Sequence, residues 1–462
     1  MATQAREAPH VPLTRNPVVR AIFFQVVVLG ACIAAFLYVF NNTLTNLRER
    51  GIASGFRFLG NESGFGISEV MPVPLLDGSF LYFLITVAIG LVATYALSRY
   101  LKAKGQTIGS HAAYPAVVIA LLIVAPAIGV YATWPQFHTE SYTEASTYNV
   151  ALVTGLLNTL KVSVIGCILA TLLGLLIGMA QLSGNWLVSR LAVGYIELLR
   201  NVPLLVQIFF WYKAVLAAMP GVRESVHFGV GFELFINNRG VFMPRPIPGP
   251  GFEWIILALF FALCFIYFRM RQARLRQERT GEQIPVLWPS LAVLIVLPGI
   301  AYFAAGRPVT FSYPELAGFN FEGGLVLSPE YTALLVSLVM YTAAFIAEIV
   351  RSGIQAVSKG QREAALAVGL SRGRMMRLVI LPQALRVMVP PLTNQYLNLT
   401  KNSSLGVAIA FPELVSVSGT ILNQSGQAIE IIGITMAVYL TFSLLISFGM
   451  NWYNAKVKLI ER

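Results

Sequence analysis

The stretch that decides the fold reads Gly360-Gln-Arg-Glu-Ala-Ala-Leu-Ala-Val-Gly369-Leu-Ser-Arg-Gly-Arg-Met-Met-Arg-Leu-Val-Ile-Leu-Pro382-Gln-Ala-Leu-Arg386. Gln361 to Val368 are mostly good helix formers. Gly369 stands where a helix that turns back needs a left-handed residue. Ser371 can cap a following helix. Pro382 has no N–H to give a helical ladder, which predicts the end of that second helix. The spacing thus predicts a short helix, a turn and another short helix. Ala364, Ala365 and Ala367 keep the first helix thin enough for a groove on a partner, and Arg362, Arg372, Arg374 and Arg377 can pair with acidic residues at its rim. Taken alone, the segment reads either as this docking element or as an ordinary basic loop.

On both sides of it lie apolar runs of membrane length. The chain has 462 residues, 56% of them hydrophobic and 12% charged, and its mean hydropathy is +0.70. A helix needs about 20 predominantly apolar residues to cross a bilayer. Such runs occur at 21–40, 80–97, 113–131, 156–182, 203–219, 252–268, 286–305, 331–350, 387–406 and 431–453. The expectation is an all-α membrane protein with about ten transmembrane helices. The ninth run is interrupted by Pro390, Pro391 and several polar side chains.

A net charge of +12 could serve nucleic acid, but its placement argues for membrane topology and against that partner. Arg6, Arg15 and Arg20 precede the first run, and Arg99, Lys102 and Lys104 follow the second. Arg269, Arg271, Arg274, Arg276 and Arg279 follow the sixth, residues 351–386 follow the eighth, and Lys456, Lys458 and Arg462 come last. By the positive-inside rule both termini are cytoplasmic. Cys32, Cys167 and Cys264 lie inside apolar runs and form no metal or disulfide pattern. His10, His111, His138 and His227 are scattered. Leu29-Gly30-Ala31-Cys32 has the outline of a lipoprotein box but sits mid-run, which favours a core cysteine and an uncleaved anchor.

Four blocks follow along the chain. Residues 1–150 supply extra helices and an outer segment. Residues 151–218 and 330–462 form the two parts of a core, the second carrying the loop 351–386. Residues 219–329 form an insertion with outer loops and two helices. Within the insertion, Met243-Pro-Arg-Pro-Ile-Pro-Gly-Pro-Gly251 is expected to lack regular structure, because proline fixes φ and removes donors. In the fourth run Gly166, Ala170, Gly174 and Gly178 recur every four residues, a flat stripe suited to close helix contact.

A second signature is Glu197-Leu-Leu-Arg200-Asn-Val-Pro203-Leu-Leu-Val-Gln207. Asn201 can cap a helix with Pro203 in its first turn, and Glu197 and Arg200 are spaced to pair. Glu363-Ala364-Ala365, Gly369 and Val379-Ile380-Leu381-Pro382 resemble the EAA loop of ABC-importer permeases. The Glu197–Gln207 segment resembles polar-amino-acid permeases. The runs Tyr396–Leu405, Thr420–Glu430 and Asn451–Lys456 are similar to the general L-amino-acid permease branch, in particular its Q-type transmembrane subunit. The resemblance covers residues 155–462, with an outlying match at 56–67. The helices at 80–131 are an addition to the pattern.

The resemblance implies a type I importer core (MetI-like) in a bacterial inner membrane, translocating L-amino acids. It implies ABC ATPase subunits docked at Gln361, Arg362, Glu363, Ala364, Ala365, Gly369 and Pro382, a related second permease, and a periplasmic amino-acid-binding protein. There is no Gly-Lys dipeptide, hence no phosphate-cradling P-loop, so ATP is expected on separate subunits. No catalytic residue, metal ligand or cofactor of its own is expected.

Asn394, Asn398 and Lys401 fall at i, i+4 and i+7, one face of a helix, with Asn402 and Ser403 following. A cation within a span faces a polar interior or a partner. These residues either line a pathway or join helices and subunits. Glu348, Gln207 and Tyr341 are further pathway candidates, and Lys401 with Glu348 offers opposite charges for a zwitterion. Two other classes of function are weighed against the importer. A secondary transporter predicts inverted repeats and coupling acids in the membrane, and a membrane enzyme predicts clustered titratable groups; the sequence shows neither clearly.

Overall fold

The computed structural model describes residues 17–49, 55–70, 73–74, 139–229, 233–282 and 284–457. The runs expected at 80–97 and 113–131 lie outside these. In chain order the helices are α1 (Pro17–Glu49), α2 (Tyr148–Gln181), α3 (Trp186–Asn201), α4 (Leu204–Phe209), α5 (Phe252–Thr280), α6 (Leu287–Ala304), α7 (Pro329–Gln355), α8 (Lys359–Ala367), α9 (Arg372–Met375), α10 (Leu381–Asn402), α11 (Leu414–Ser425) and α12 (Ala428–Val457). Seven helices among the described residues are long and apolar enough to cross a membrane, or up to eight if the pair α3 and Leu204–Leu216, bent by 104°, counts as one span.

Two expectations about helix ends are corrected. Asn201 closes α3 instead of capping the next helix, and Pro203, extended at φ −55° and ψ 136°, stands just before α4. The cap on α3 is Asn185, whose Oδ1 accepts from the N–H groups of Leu187 and Val188. Pro382 does not stop the helix that begins at Arg372. A wide turn over Met376–Ile380 lets the Leu381 N–H reach Met376 O. The proline's missing donor is thereby absorbed, and helix continues over the 38 residues Arg372–Ile409, part of which is apolar enough to cross a membrane.

The chain is also not purely helical. Short strands β1 (Val73–Pro74) and β2 (Thr139–Glu140) pair, and the insertion carries β3 (Val226–Phe228), β4 (Leu234–Asn237), β5 (Gly240–Met243), β6 (Arg245–Pro248), β7 (Val309–Ser312), β8 (Glu315–Ala317), β9 (Asn320–Glu322) and β10 (Leu325–Leu327). An antiparallel sheet in the order β10-β5-β4-β3 is closed by aromatic rings. Phe321 lies 4.7 Å from Phe235 and 5.0 Å from the buried Phe242. The proline-rich loop is partly regular, with Pro246 opposite Phe311 and Pro248 opposite Val309 in β6–β7. A two-stranded ribbon has only edge strands, where the missing N–H of proline is tolerated.

Two compact units emerge, one of residues 1–155 with 414–442 and one of 156–413 with 443–462. In the first, residues 61–64 bond residues 144–148 through Ser63 N to Ser146 O (2.8 Å), Gly64 N to Glu144 O (2.9 Å) and Tyr148 N to Asn61 O (3.0 Å). The buried Tyr142 hydroxyl meets Ser63 Oγ at 2.7 Å and donates to Phe65 O. Thr435 donates to Ser418 at 2.9 Å, tying α12 to α11.

The second unit is organised around α7, whose Ala333, Leu334, Leu338, Ala343, Ile346 and Ala347 are fully buried. Ser328 caps this helix, accepting from Tyr331 N at 3.1 Å, and Pro329 occupies its first turn. The small-residue stripe of α2 does what its spacing predicts. A Cβ on Gly174 would lie 2.6 Å from Ile346, one on Gly178 2.8 Å from Ala347 O, and one on Gly166 3.2 Å from Leu399. Gly353 of α7 likewise admits Met388 of α10.

Candidate functional site

The segment after α7 forms a compact platform. Arg362 of α8 reaches back, and its Nη2 donates to Ile354 O at 2.6 Å. A basic group there satisfies one of the carbonyls left over at a helix C-terminus. It also fastens α8 to α7 through one of its N–H groups. Gln361 Oε1 accepts from Gln383 Nε2 at a long 3.5 Å. Ala365 faces inward and is 5% exposed. Glu363, Ala364 and Ala367 face outward, as do Leu366, 49% exposed, and Val368, 77% exposed.

The helix ends on Gly369 at φ +80°. Gly369 N donates to Leu366 O and Leu370 N to Ala365 O, the paired bonds of a glycine-terminated helix. A Cβ at Gly369 would meet nothing within 4 Å, so glycine is needed there for backbone conformation and not for space. Ser371 stands at the start of α9 without a side-chain capping bond. Arg372, Arg374, Arg377 and Pro382 are exposed.

The polar face of α10 divides. Asn394, Asn398 and Lys401 are exposed together, whereas Asn402 is half-buried and Ser403 is buried. Ser403 donates to Thr400 O at 2.7 Å, a bond within its own helix. Opposite them, Ala384, Met388 and Leu399 join the core around α7. Pro390 and Pro391 lie inside the helix and withhold their N–H groups from the ladder.

The other candidates make contacts within the chain. Gln207 is buried, and its Nε2 donates to Leu199 O (2.9 Å) and Val202 O (3.0 Å). It closes the α3–α4 bend. Glu348 is gripped by Arg351, whose Nε lies 3.1 and 3.0 Å from the two carboxylate oxygens and whose Nη2 also donates. Arg200 lies over the Phe345 ring at 5.1 Å. Tyr341 lies 5.0 Å from Phe345.

Lys401 and Glu348 thus share the core with further charges, Arg351, Arg200 and Lys161, of which the sequence reading did not single out Lys161. Lys161 sits within α2 with Nζ 4.3 Å from the Tyr331 ring centroid. A lone lysine in the fourth apolar run was the available signal for it. Among the described residues, no three His, Cys, Asp or Glu could hold a metal ion.

A family model described as the binding-protein-dependent transport system inner membrane component matches residues 170–459. The chain is 41% identical over 447 residues to the general L-amino acid transport system permease protein AapQ of Rhizobium johnstonii, covering 97% of this chain and 94% of that one. It is 42% identical over 450 residues to the putative amino-acid ABC transporter permease protein YhdX of Escherichia coli K12, covering 97% and 96%. It is 40% identical over 352 residues to the glutamate/glutamine/aspartate/asparagine transport system permease protein BztB of Rhodobacter capsulatus, covering 70% and 82%.

Proposed function

Because this chain belongs to the family of binding-protein-dependent transport system inner membrane components, and within it is an amino-acid ABC permease, we propose that it forms part of the membrane channel of an ATP-driven importer for L-amino acids. It lies in a bacterial inner membrane, has a type I core and about ten spans, and keeps both termini in the cytoplasm. A related second permease completes the channel, a periplasmic binding protein delivers the amino acid, and separate ATPase subunits hydrolyse ATP. The names of the relatives support the substrate class.

The observation that carries the coupling reading is α8. It is short, pinned to α7 by Arg362, ended by a left-handed glycine, and presents Leu366 and Val368 outward. Exposed apolar side chains on a small basic platform suit a groove on a partner protein. When ATP closes the ATPases, movement of α8 passes into α7 through the Arg362–Ile354 bond, and the spans open outward. The joint exposure of Asn394, Asn398 and Lys401 favours a face that the second permease completes, where these residues meet the substrate or the partner helix.

A single cysteine replacing Val368 in the assembled transporter tests the docking. It is expected to cross-link to the ATPase with a short bifunctional reagent, while a cysteine at the exposed Phe319 of the insertion does not. Equal cross-linking from both, or none from Val368, would remove the docking role.

A further inference from the structure

We infer that the basic end of α5 is a binding surface for the phosphate headgroups of anionic phospholipid. α5 has 29 residues and its antiparallel neighbour α6 has 18. The two are joined at one end by the β6–β7 ribbon and by Gly249 N donating to Pro308 O at 2.7 Å. The surplus length must therefore emerge at the other end, as roughly 16 Å of helix at 1.5 Å per residue. That projection carries Arg271, Arg274, Arg276 and Arg279 just beyond Arg269, with Glu278 as its one acid.

The placement of the arginines points to lipid. At 100° per residue, Trp254, Phe261, Phe265, Arg269, Gln272, Arg276 and Arg279 share an arc of about 80°. Trp254, Phe261 and Phe265 are large exposed side chains, the composition of a face turned to acyl chains. The same stripe continues directly into Arg269, Arg276 and Arg279, of which the latter two are exposed. Glu278 falls on the opposite side of the helix. Side chains on a helix lean toward its N-terminus, which on α5 is back toward the bilayer. The arginine stems can thus lie along the helix while the guanidiniums reach the phosphate layer. Clusters of this kind beside a transmembrane helix hold anionic lipid. The inference rests on the membrane character of the chain and is independent of the ATPase coupling and of the substrate.

The test uses the full chain in phosphatidylcholine bilayers, comparing spin-labelled phosphatidylglycerol with spin-labelled phosphatidylcholine at the protein surface. Each arginine near the surface contributes up to roughly fivefold at its own headgroup site, and averaging over all the lipids that surround the protein lowers the observed preference. The wild type is expected to prefer phosphatidylglycerol severalfold. The variant Arg269→Gln/Arg276→Gln/Arg279→Gln is expected to approach parity, and the same three positions changed to Lys to retain the preference. About 0.5 M salt should weaken the wild-type preference, a readout that needs no variant to fold. No preference in the wild type overturns the inference, as does a preference that survives both the glutamine variant and salt. If the glutamine variant keeps its lipid preference but loses the co-purifying ATPase, the stripe reads a protein surface and the lipid assignment is wrong.

Discussion

Substitution of Gly174 by alanine isolates the contact on which the second unit is built. In an open helical position alanine is favoured over glycine by about 1 kcal/mol. At Gly174 the new Cβ would stand 2.6 and 2.7 Å from Ile346 Cγ2 and Cβ and 3.0 Å from Ala343 O, against a comfortable carbon separation of about 3.5–4.0 Å. Ile346 is fully buried, and its branched Cβ leaves it little rotamer freedom. Neither it nor a helical carbonyl can yield cheaply. Overpacking of this kind costs about 1–3 kcal/mol. With the upper end of that range set against the propensity gain, the net loss is about 2 kcal/mol. Gly194→Ala is the control, because nothing lies within 4 Å of a Cβ there; it should be neutral or stabilising by up to about 1 kcal/mol. Thermal unfolding in detergent, followed by loss of the monodisperse elution peak, reads both variants. A Gly174→Ala protein that melts at or above the wild type would refute the argument that α2 and α7 touch through this stripe.

Gln207→Leu keeps volume but strips two bonds from Leu199 O and Val202 O; leaving such acceptors unmet costs about 1–3 kcal/mol each, so the melting temperature should fall. Glu348→Gln and Arg351→Gln should each destabilise by leaving the partner charge unmatched. The double variant should recover part of that loss, which a double-mutant cycle in the same melting assay reads directly. A topology reporter fused after Arg276 should report cytoplasm and one fused near Gly249 the outside, as the arginine cluster dictates; the opposite pattern would invert the side on which the ATPase docks.

Much of the fold was legible because bilayer length and glycine spacing are one-dimensional signals. The stripe Gly166, Ala170, Gly174 and Gly178 gave both a helix face and its closeness to a neighbour. Gly369 gave its left-handed turn from sequence alone. What escaped depends on partners distant in the chain. Pro382 looked like a stop, but the wide turn at Met376–Ile380 absorbs it, and no local residue announces such a turn. Pro246 and Pro248 looked irregular because their strand partner, Val309–Ser312, lies some 60 residues away and beyond two helices. Glu348 looked like a free charge for a substrate, yet Arg351 three residues on holds it; the i,i+3 spacing was readable and was overlooked. Gln207 looked like a pathway residue because a buried glutamine in a span has two equally polar fates. Only the fold, with its 104° bend between the helices, shows that its amide nitrogen bonds Leu199 O and Val202 O.

The account turns on ATP driving amino-acid movement through α8. The direct measurement is uptake of a radiolabelled L-amino acid into proteoliposomes holding the assembled transporter, made with wild-type chain or with Gly369→Val. A β-branched side chain is strongly disfavoured at φ +80°, and the distorted turn should shift α8 without disturbing the spans. Wild-type vesicles should accumulate substrate only when ATP and binding protein are present. Gly369→Val vesicles should insert normally yet lose most uptake. Accumulation driven by an ion gradient without ATP, or near-normal uptake by Gly369→Val, would contradict the account.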